Sequence, residues 1–343
     1  MTASSRKLGR SGVLLSPVGL GGVPLGEIYA RVDETAAQET MSAAWDAGIR
    51  YYDTSPWYGR GLSELRFGTL LRQKPRGEFV LSTKVGRTFH RPSDPASFKG
   101  EFWAGGLPFE HRFDYTYEGI MRSYDQSLMR LGLNTIDLLL IHDLDVAEIG
   151  SEDLVKHHFR DLERSGWRAL EALRRSGEIS AIGAGVNILG TIPEFLRRFD
   201  LNFFLVAMPY TLLDQNVLNE EFPLCRERGV GIIVGSPYAS GILATGTTTT
   251  NPYYNYLPAT PAILEKTKRI EAVCLRHDVP LKAAAFQFPL RHPIVASVVS
   301  GAGTPTQATE NARLLDVSIP QDFWQELMSL GLLHPDSPLA KAA

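Results

Sequence analysis

Eight short apolar runs, each followed by a segment of helical periodicity, constrain this chain more than any other feature. Runs such as Ile136-Asp137-Leu138-Leu139-Leu140-Ile141 and Gly231-Ile232-Ile233-Val234 are apolar on both faces. That suits parallel strands covered by helices and not an alternating antiparallel sheet with one wet face. Strands are expected near 15–22, 49–53, 79–85, 136–141, 179–186, 203–208, 231–234 and 294–299, with a small hairpin at 6–13 ahead of them. Helices are expected near 35–46, 62–71, 116–131, 162–176, 192–198, 213–228 and 262–277. The alternation predicts an α/β fold, a closed (β/α)8 TIM barrel forming one domain over 1–343. An open doubly wound sheet is the competing architecture. It is disfavoured because Gly19-Leu20-Gly21-Gly22 supplies only two of the three glycines of the dinucleotide fingerprint.

Composition limits the partners. With 44% hydrophobic and 21% charged residues, the 343-residue chain can bury a large core. A formal charge of -3, without a basic stripe, gives no footprint for nucleic acid or for an anionic membrane surface. The start, MTASSRKLGRSG, has no apolar run fit for a signal peptide, and no stretch has the length of a membrane span. Cys225 and Cys274 lack metal-ligand spacing, so buried free thiols in a reducing cytoplasm are expected. No metal is expected, and the oligomeric state is left open.

Two connections are long, 86–115 after the third strand and 236–261 after the seventh. Both follow the C-terminal end of a strand, where barrel enzymes build their sites, and both are rich in aromatic residues. Four ionisable residues stand at the same edge: Asp53 ending the second strand, Tyr58 in its loop, Lys84 ending the third, and His142 ending the fourth. Each alone is ordinary, since an acid caps turns and a strand-end lysine is usually a surface charge. Parallel strands converge, however, and bring all four to one mouth.

Here the chain resembles the aldo-keto reductase superfamily over nearly its whole length. The segments that carry the likeness are LGRSGVLLSPVGLGG, AWDAGIRYYDTSPWYG, FVLSTKVG, SLMRLGLNTIDLLLIHD, ISAIGAGVN, GSPYASGIL and SGAGTPTQATEN. The resemblance implies an NAD(P)-dependent oxidoreductase with a catalytic tetrad of Asp53, Tyr58, Lys84 and His142. Tyr58 would move the proton that accompanies hydride transfer, Lys84 would favour its phenolate, Asp53 would hold the lysine, and His142 would orient the substrate oxygen. Trp57, Trp103 and His142 are expected around the substrate.

The same resemblance implies cofactor contacts from Gly21, Asn187, Ser236, Pro237, Tyr238, Ser240, Gly241, Gly301, Gln307, Glu310 and Asn311. It departs from the commoner pattern at three places: GVSNF is replaced by Gly183-Ala184-Gly185-Val186-Asn187, a glutamine by Ala207, and a stacking tyrosine by Gly235. Residues 301–311 contain no Lys or Arg, so NAD is expected over NADP, with Arg313 the nearby cation that could reverse this. The segments GRGLSELRFG and RFDYTYEGIMRS are most similar to the branch holding L-fucose and D-threo-aldose 1-dehydrogenases, L-galactose dehydrogenase and pyridoxal 4-dehydrogenase. That implies oxidation of a free sugar at its anomeric carbon to a lactone, or of pyridoxal at its hemiacetal carbon. A nicotinamide-sensing regulatory subunit is the non-enzymatic reading.

Overall fold

The computed structural model describes residues 5–28, 30–100 and 102–340; the first four residues of the amino-terminal stretch lie outside them. Eight parallel strands close into a barrel: β1 Val18–Gly21, β2 Tyr51–Asp53, β3 Val80–Val85, β4 Leu138–His142, β5 Ala181–Val186, β6 Phe203–Val206, β7 Gly231–Gly235 and β8 Val295–Gly301. β8 pairs with β1 and completes the ring, Gly301 opposite Gly21. The (β/α)8 expectation holds. Helices α1 Glu34–Asp46, α2 Leu62–Leu71, α3 Tyr117–Leu131, α4 Trp167–Ser176, α5 Thr191–Arg198, α6 Glu221–Glu227, α7 Pro261–Arg276 and α8 Pro305–Arg313 form the outer layer.

Strand periodicity divides the buried apolar residues into two sets. One direction of side chains packs against the helices. The other fills the barrel with Tyr51, Leu138, Leu140, Phe203, Leu205 and Ile233, and the hairpin residues Leu8 and Leu15 join this inner cluster. Two large rings fit inside because a neighbouring strand offers a glycine: a Cβ at Gly183 would lie 2.5 Å from the Phe203 ring, and one at Gly19 2.6 Å from Tyr51. The hairpin pairs Arg6–Lys7 with Leu14–Leu15, so the first barrel strand begins only at Val18.

The expected helix over 213–228 is mostly absent. Only Glu221–Glu227 is α-helical, preceded by one 3₁₀ turn at Asn216–Leu218. Polar side chains and turns capture the backbone before it: Gln215 Nε2 donates to Thr211 O, Thr211 N donates to Asp214 O, and Asn216 N donates to Asp214 Oδ1. Such local bonds compete with helix formation. A further helix at Leu281–Gln287 has no counterpart among the expected elements. The helix expected over 162–176 starts earlier, at Glu152, and passes through a π turn at Leu162–Gly166. Both long connections contain a small hairpin, Arg87–His90 with Glu110–Phe113 and Tyr253–Tyr254 with Leu257–Pro258. Cys225 and Cys274 are buried free thiols. Among the described residues no helix is long and apolar enough to cross a membrane.

Candidate active site

Register places the site. Asp53 pairs with Ser82, Lys84 with Leu140, and His142 with Gly185. Ser82 and Lys84, like Leu138, Leu140 and His142, are two residues apart and share a face, the face on which Tyr51, Leu138 and Leu140 fill the barrel. Asp53, Lys84 and His142 are therefore the uppermost inward residues of three adjacent strands. All three are buried.

Lys84 Nζ lies 2.9 and 3.1 Å from the two oxygens of Asp53 and donates to Thr54 O at 2.8 Å. Asp53 also accepts from Ser82 Oγ at 2.7 Å, and Ser82 Oγ lies 2.9 Å from the Tyr51 hydroxyl. The ion pair is thus fully hydrogen-bonded, the condition under which a buried pair is tolerated. The same Nζ sits 4.5 Å from the centre of the Tyr58 ring, and the Tyr58 and His142 rings are 6.0 Å apart. The tetrad expected from the sequence is one cluster.

The electrostatics differ from expectation in one respect. Burial, and then the charges of Asp53 and Asp143, hold the Tyr58 phenol well above its ordinary value. Lys84 lies over the ring face with its charge committed to Asp53. In this state Tyr58 is a proton-bearing phenol, suited to donate. His142 is pushed the other way, well below its ordinary value, by burial first and then by Arg87 and Lys84. These surroundings favour the neutral imidazole.

Above these groups stands an aromatic wall. The Trp57 and Trp103 rings meet edge to face at 5.6 Å, Trp103 lies 6.2 Å from Tyr58, and Trp57 lies 4.7 Å from His111. Arg60 fixes the wall by donating to Gly105 O at 2.7 Å and Leu107 O at 2.6 Å, which ties the third connection to the second. The indole Nε1 of Trp103 is buried and has no hydrogen-bond partner among the described residues. Buried donors are ordinarily satisfied, so this one is available to a ligand. Gly185 leaves space beside the catalytic floor; a Cβ there would stand 3.6 Å from the His142 ring and 3.9 Å from Lys84 Cε.

The expected nucleotide residues collect at the neighbouring edge. Gly21 and Gly301 are partners at the tops of β1 and β8. In the loop leaving β7, Ser236, Ala239, Ser240 and Gly241 all adopt positive φ, at 52°, 49°, 64° and 111°. Three of them are successive, and the turn is closed by its own backbone bonds, Ala239 N to Ser236 O and Gly241 N to Tyr238 O, both at 2.9 Å. A Cβ at Gly241 would meet nothing within 4 Å, so the space over the turn is open. Tyr238 donates to Asn311 Oδ1 at 2.6 Å, and Asn311 Nδ2 reaches Gly301 O at 3.4 Å. α8 begins nearby with Thr304 as its cap, and the Gln307 side chain accepts from Gly303 N at 2.9 Å. The open space over the turn, the glycines Gly21 and Gly301 and the Tyr238–Asn311 pair fit a dinucleotide laid along this edge, with Glu310 and Asn311 at the end where the sequence resemblance puts the adenosine.

Asn187 is brought to the mouth and donates to Asp143 Oδ1 at 3.0 Å. Arg313 is not at the mouth. It lines a groove with Asp46, Gly48, Arg50 and Phe79, at the N-terminal ends of the strands. The cation beside the adenosine residues is instead Lys282, 2.8 Å from Glu310 Oε2. Sequence reasoning missed Lys282, and it missed Arg87, Asp143 and His111 around the catalytic floor. The signal for two of them stood in plain view, in KVGR after Lys84 and in HD at His142.

Comparison with known proteins agrees with this geometry. The model of the aldo/keto reductase family matches residues 17–331. The chain belongs to that family, and it is a nicotinamide-dependent oxidoreductase. It is 40% identical over 340 residues to pyridoxal 4-dehydrogenase of Microbacterium luteolum, covering 96% of this chain and 98% of that one. It is 38% identical over 344 residues to D-threo-aldose 1-dehydrogenase of a Pseudomonas species, covering 97% and 99%. Among solved structures, the holo form of an aldo-keto reductase from Bacillus halodurans superposes with a TM-score of 0.74 at 27% identity, covering 99% and 97%.

Proposed function

We propose that this protein is an NAD-dependent aldose 1-dehydrogenase, which oxidises the anomeric carbon of a free sugar to a lactone. The observation that carries the reading is the pairing of the Tyr58–His142 floor with a wall of two indoles, one bearing an unpartnered donor. A sugar ring has apolar C–H faces that pack on aromatic rings and hydroxyls that need donors and acceptors. Pockets of this kind bind through apolar walls and a few placed polar groups.

When bound, the nicotinamide accepts the hydride that leaves the anomeric carbon. The hydroxyl proton of that carbon leaves as the C=O bond of the lactone forms, and Tyr58 takes it. The phenol in its resting state already holds its proton, so oxidation starts from the phenolate. Lys84, 4.5 Å from the ring centre, and Arg87 are the cations that oppose the Asp53 and Asp143 charges around the phenol. His142 as a neutral imidazole hydrogen-bonds the same oxygen without competing for the proton. Trp57 and Trp103 exclude water from the reacting carbon.

NAD is the preferred dinucleotide in this reading. A 2′-phosphate is normally met by Arg or Lys in close contact, and the adenosine end offers Gly301, Thr304, Thr306, Gln307 and Glu310. Lys282 is paired with Glu310, whose carboxylate would repel a phosphate. Pyridoxal is the second reading, favoured by the 40% identity to pyridoxal 4-dehydrogenase and by an aromatic wall that would stack a pyridine ring. Its hemiacetal carbon undergoes the same two-electron oxidation.

The test is NADH formation, followed by absorbance, against L-fucose, L-galactose, D-arabinose, L-xylose and pyridoxal, with Tyr58→Phe run in parallel. Turnover of at least one aldose by the wild type, with none by Tyr58→Phe at unchanged NAD affinity, is expected. Turnover of pyridoxal alone would replace the first reading with the second. A Tyr58→Phe enzyme that keeps most of its kcat would remove Tyr58 from the proton-transfer role.

A further inference from the structure

Arg87 is buried at 2% exposure, three residues beyond Lys84, where the chain leaves β3 and enters the first hairpin. Its Nη1 lies 3.0 Å from His142 Nδ1 and 2.9 Å from Asp143 Oδ2, and its Nη2 lies 3.0 Å from Glu148 Oε2. The guanidinium is held over Trp57 and Phe113, at 5.0 and 4.7 Å from their ring centres. A guanidinium has donors only. His142 Nδ1 must therefore be an acceptor, which leaves the imidazole proton on Nε2.

His142 Nε2 also lies 3.1 Å from the Asp143 carboxylate. A carboxylate at this distance ordinarily draws a proton onto a histidine and makes it an imidazolium. Arg87 opposes this twice: it places a cation against Nδ1, and it engages the same Asp143 oxygen. Asn187 engages the other. The groups facing the ring are Ser55 (Oγ to Nδ1, 3.1 Å) and Tyr58 from the second connection, Lys84 from β3, Arg87 from the hairpin and Asp143 after β4. Asp53 stands behind Lys84, and Glu148 behind Arg87.

We propose that Arg87 is a positioning residue for the reaction: by donating to Nδ1 and neutralising Asp143, it holds His142 as the neutral Nε2–H tautomer that hydrogen-bonds the substrate oxygen. The proposal deepens the dehydrogenase reading above and rests on it for the role of His142. The state of His142 itself is a property of the free protein and holds whichever alcohol is the substrate.

Nitrogen-15 NMR of histidine-labelled wild type, with His142 assigned by comparison with His142→Gln, reads the state directly. The expected result is an unprotonated Nδ1 and a protonated Nε2 throughout about pH 5 to 8, the range in which an ordinary histidine titrates. A His142 that titrates in that range, or carries its proton on Nδ1, overturns the proposal with no variant required. In Arg87→Met, kcat is expected to fall by roughly 10²-fold at neutral pH, comparable to loss of one oxyanion donor, with NAD affinity by fluorescence quenching unchanged. An acid limb absent from the wild type should appear in its pH profile as His142 ionises beside Asp143. Adding Asp143→Asn should remove that limb, and Arg87→Lys, which retains the cation, should not show it. A lowered rate with a wild-type pH profile in Arg87→Met would mean that Arg87 only supports the hairpin.

Discussion

Replacing Lys84 by Met removes one half of a buried ion pair and keeps most of the side-chain volume. Lys84 and Asp53 side chains are 1% and 4% exposed, 2.9 Å apart, so water does not compensate either charge. Without Nζ, the Asp53 carboxylate retains only the Ser82 hydroxyl among its present side-chain partners, and Thr54 O loses its donor. Breaking a buried pair by deleting one partner costs about 3–5 kcal/mol. A 343-residue chain has an unfolding entropy of about 0.7 kcal/mol/K, so the expected fall in Tm is about 4–7 °C. Asp53→Leu with Lys84→Met removes both charges, and this double variant should recover most of the loss. Turnover should not recover, because the cation beneath Tyr58 remains absent. Calorimetry of the three proteins without cofactor, with the dehydrogenase assay on each, gives both readouts. A Lys84→Met protein within about 1 kcal/mol of wild type, or single-variant losses that simply add in the double, would show that the pair is not the tightly coupled unit described here.

Two further expectations concern the nucleotide and acid stability. Gln307→Arg should raise kcat/KM for NADP relative to NAD by about one charge-assisted hydrogen bond, roughly 1.5–3 kcal/mol at best and less where solvent screens it. A wild type that already prefers NADP would refute the cofactor reading and point to Lys282, released from Glu310, as the phosphate contact. His292 packs between Tyr210 and Phe222, and burial pushes it down to about 4. Its folded value lies below the unfolded one of about 6.5, so the unfolded chain takes the proton first as pH falls. Its contribution is complete above about pH 6.5 and is lost toward pH 4, by about 3 kcal/mol at the limit. Urea midpoints at about pH 7 and pH 5 should converge more in His292→Phe than in wild type, and an unchanged difference would assign the acid sensitivity to other groups.

The barrel and the Asp53, Lys84 and His142 cluster at its mouth were legible because both follow from local patterns. A strand buried on both faces writes a continuous apolar run, and a polar residue ending that run sits at the mouth. Asp53, Lys84 and His142 are each such an ending, and the pleat then puts them on the inner face. Resemblance to a known family supplied the roles expected of them. The small residues Gly183 and Gly19 were visible in the sequence, yet their meaning lies in Phe203 and Tyr51 on neighbouring strands.

Tertiary structure decided the rest. Whether residues 213–228 form one helix depended on side-chain bonds from Thr211, Asp214 and Gln215 that no periodicity records. Arg313 turns to the far end of the barrel because α8 presents that face toward the strand beginnings, whereas Lys282 arrives at the adenosine residues from a helix absent from the expected elements. Arg87 meets His142 across 55 residues of sequence, and Asp143 meets Asn187 across 44. Strand ends and turns are set by neighbours within a few residues. The surroundings of the His142 proton include the Arg87 charge, which only the closed barrel brings to 3.0 Å from its ring.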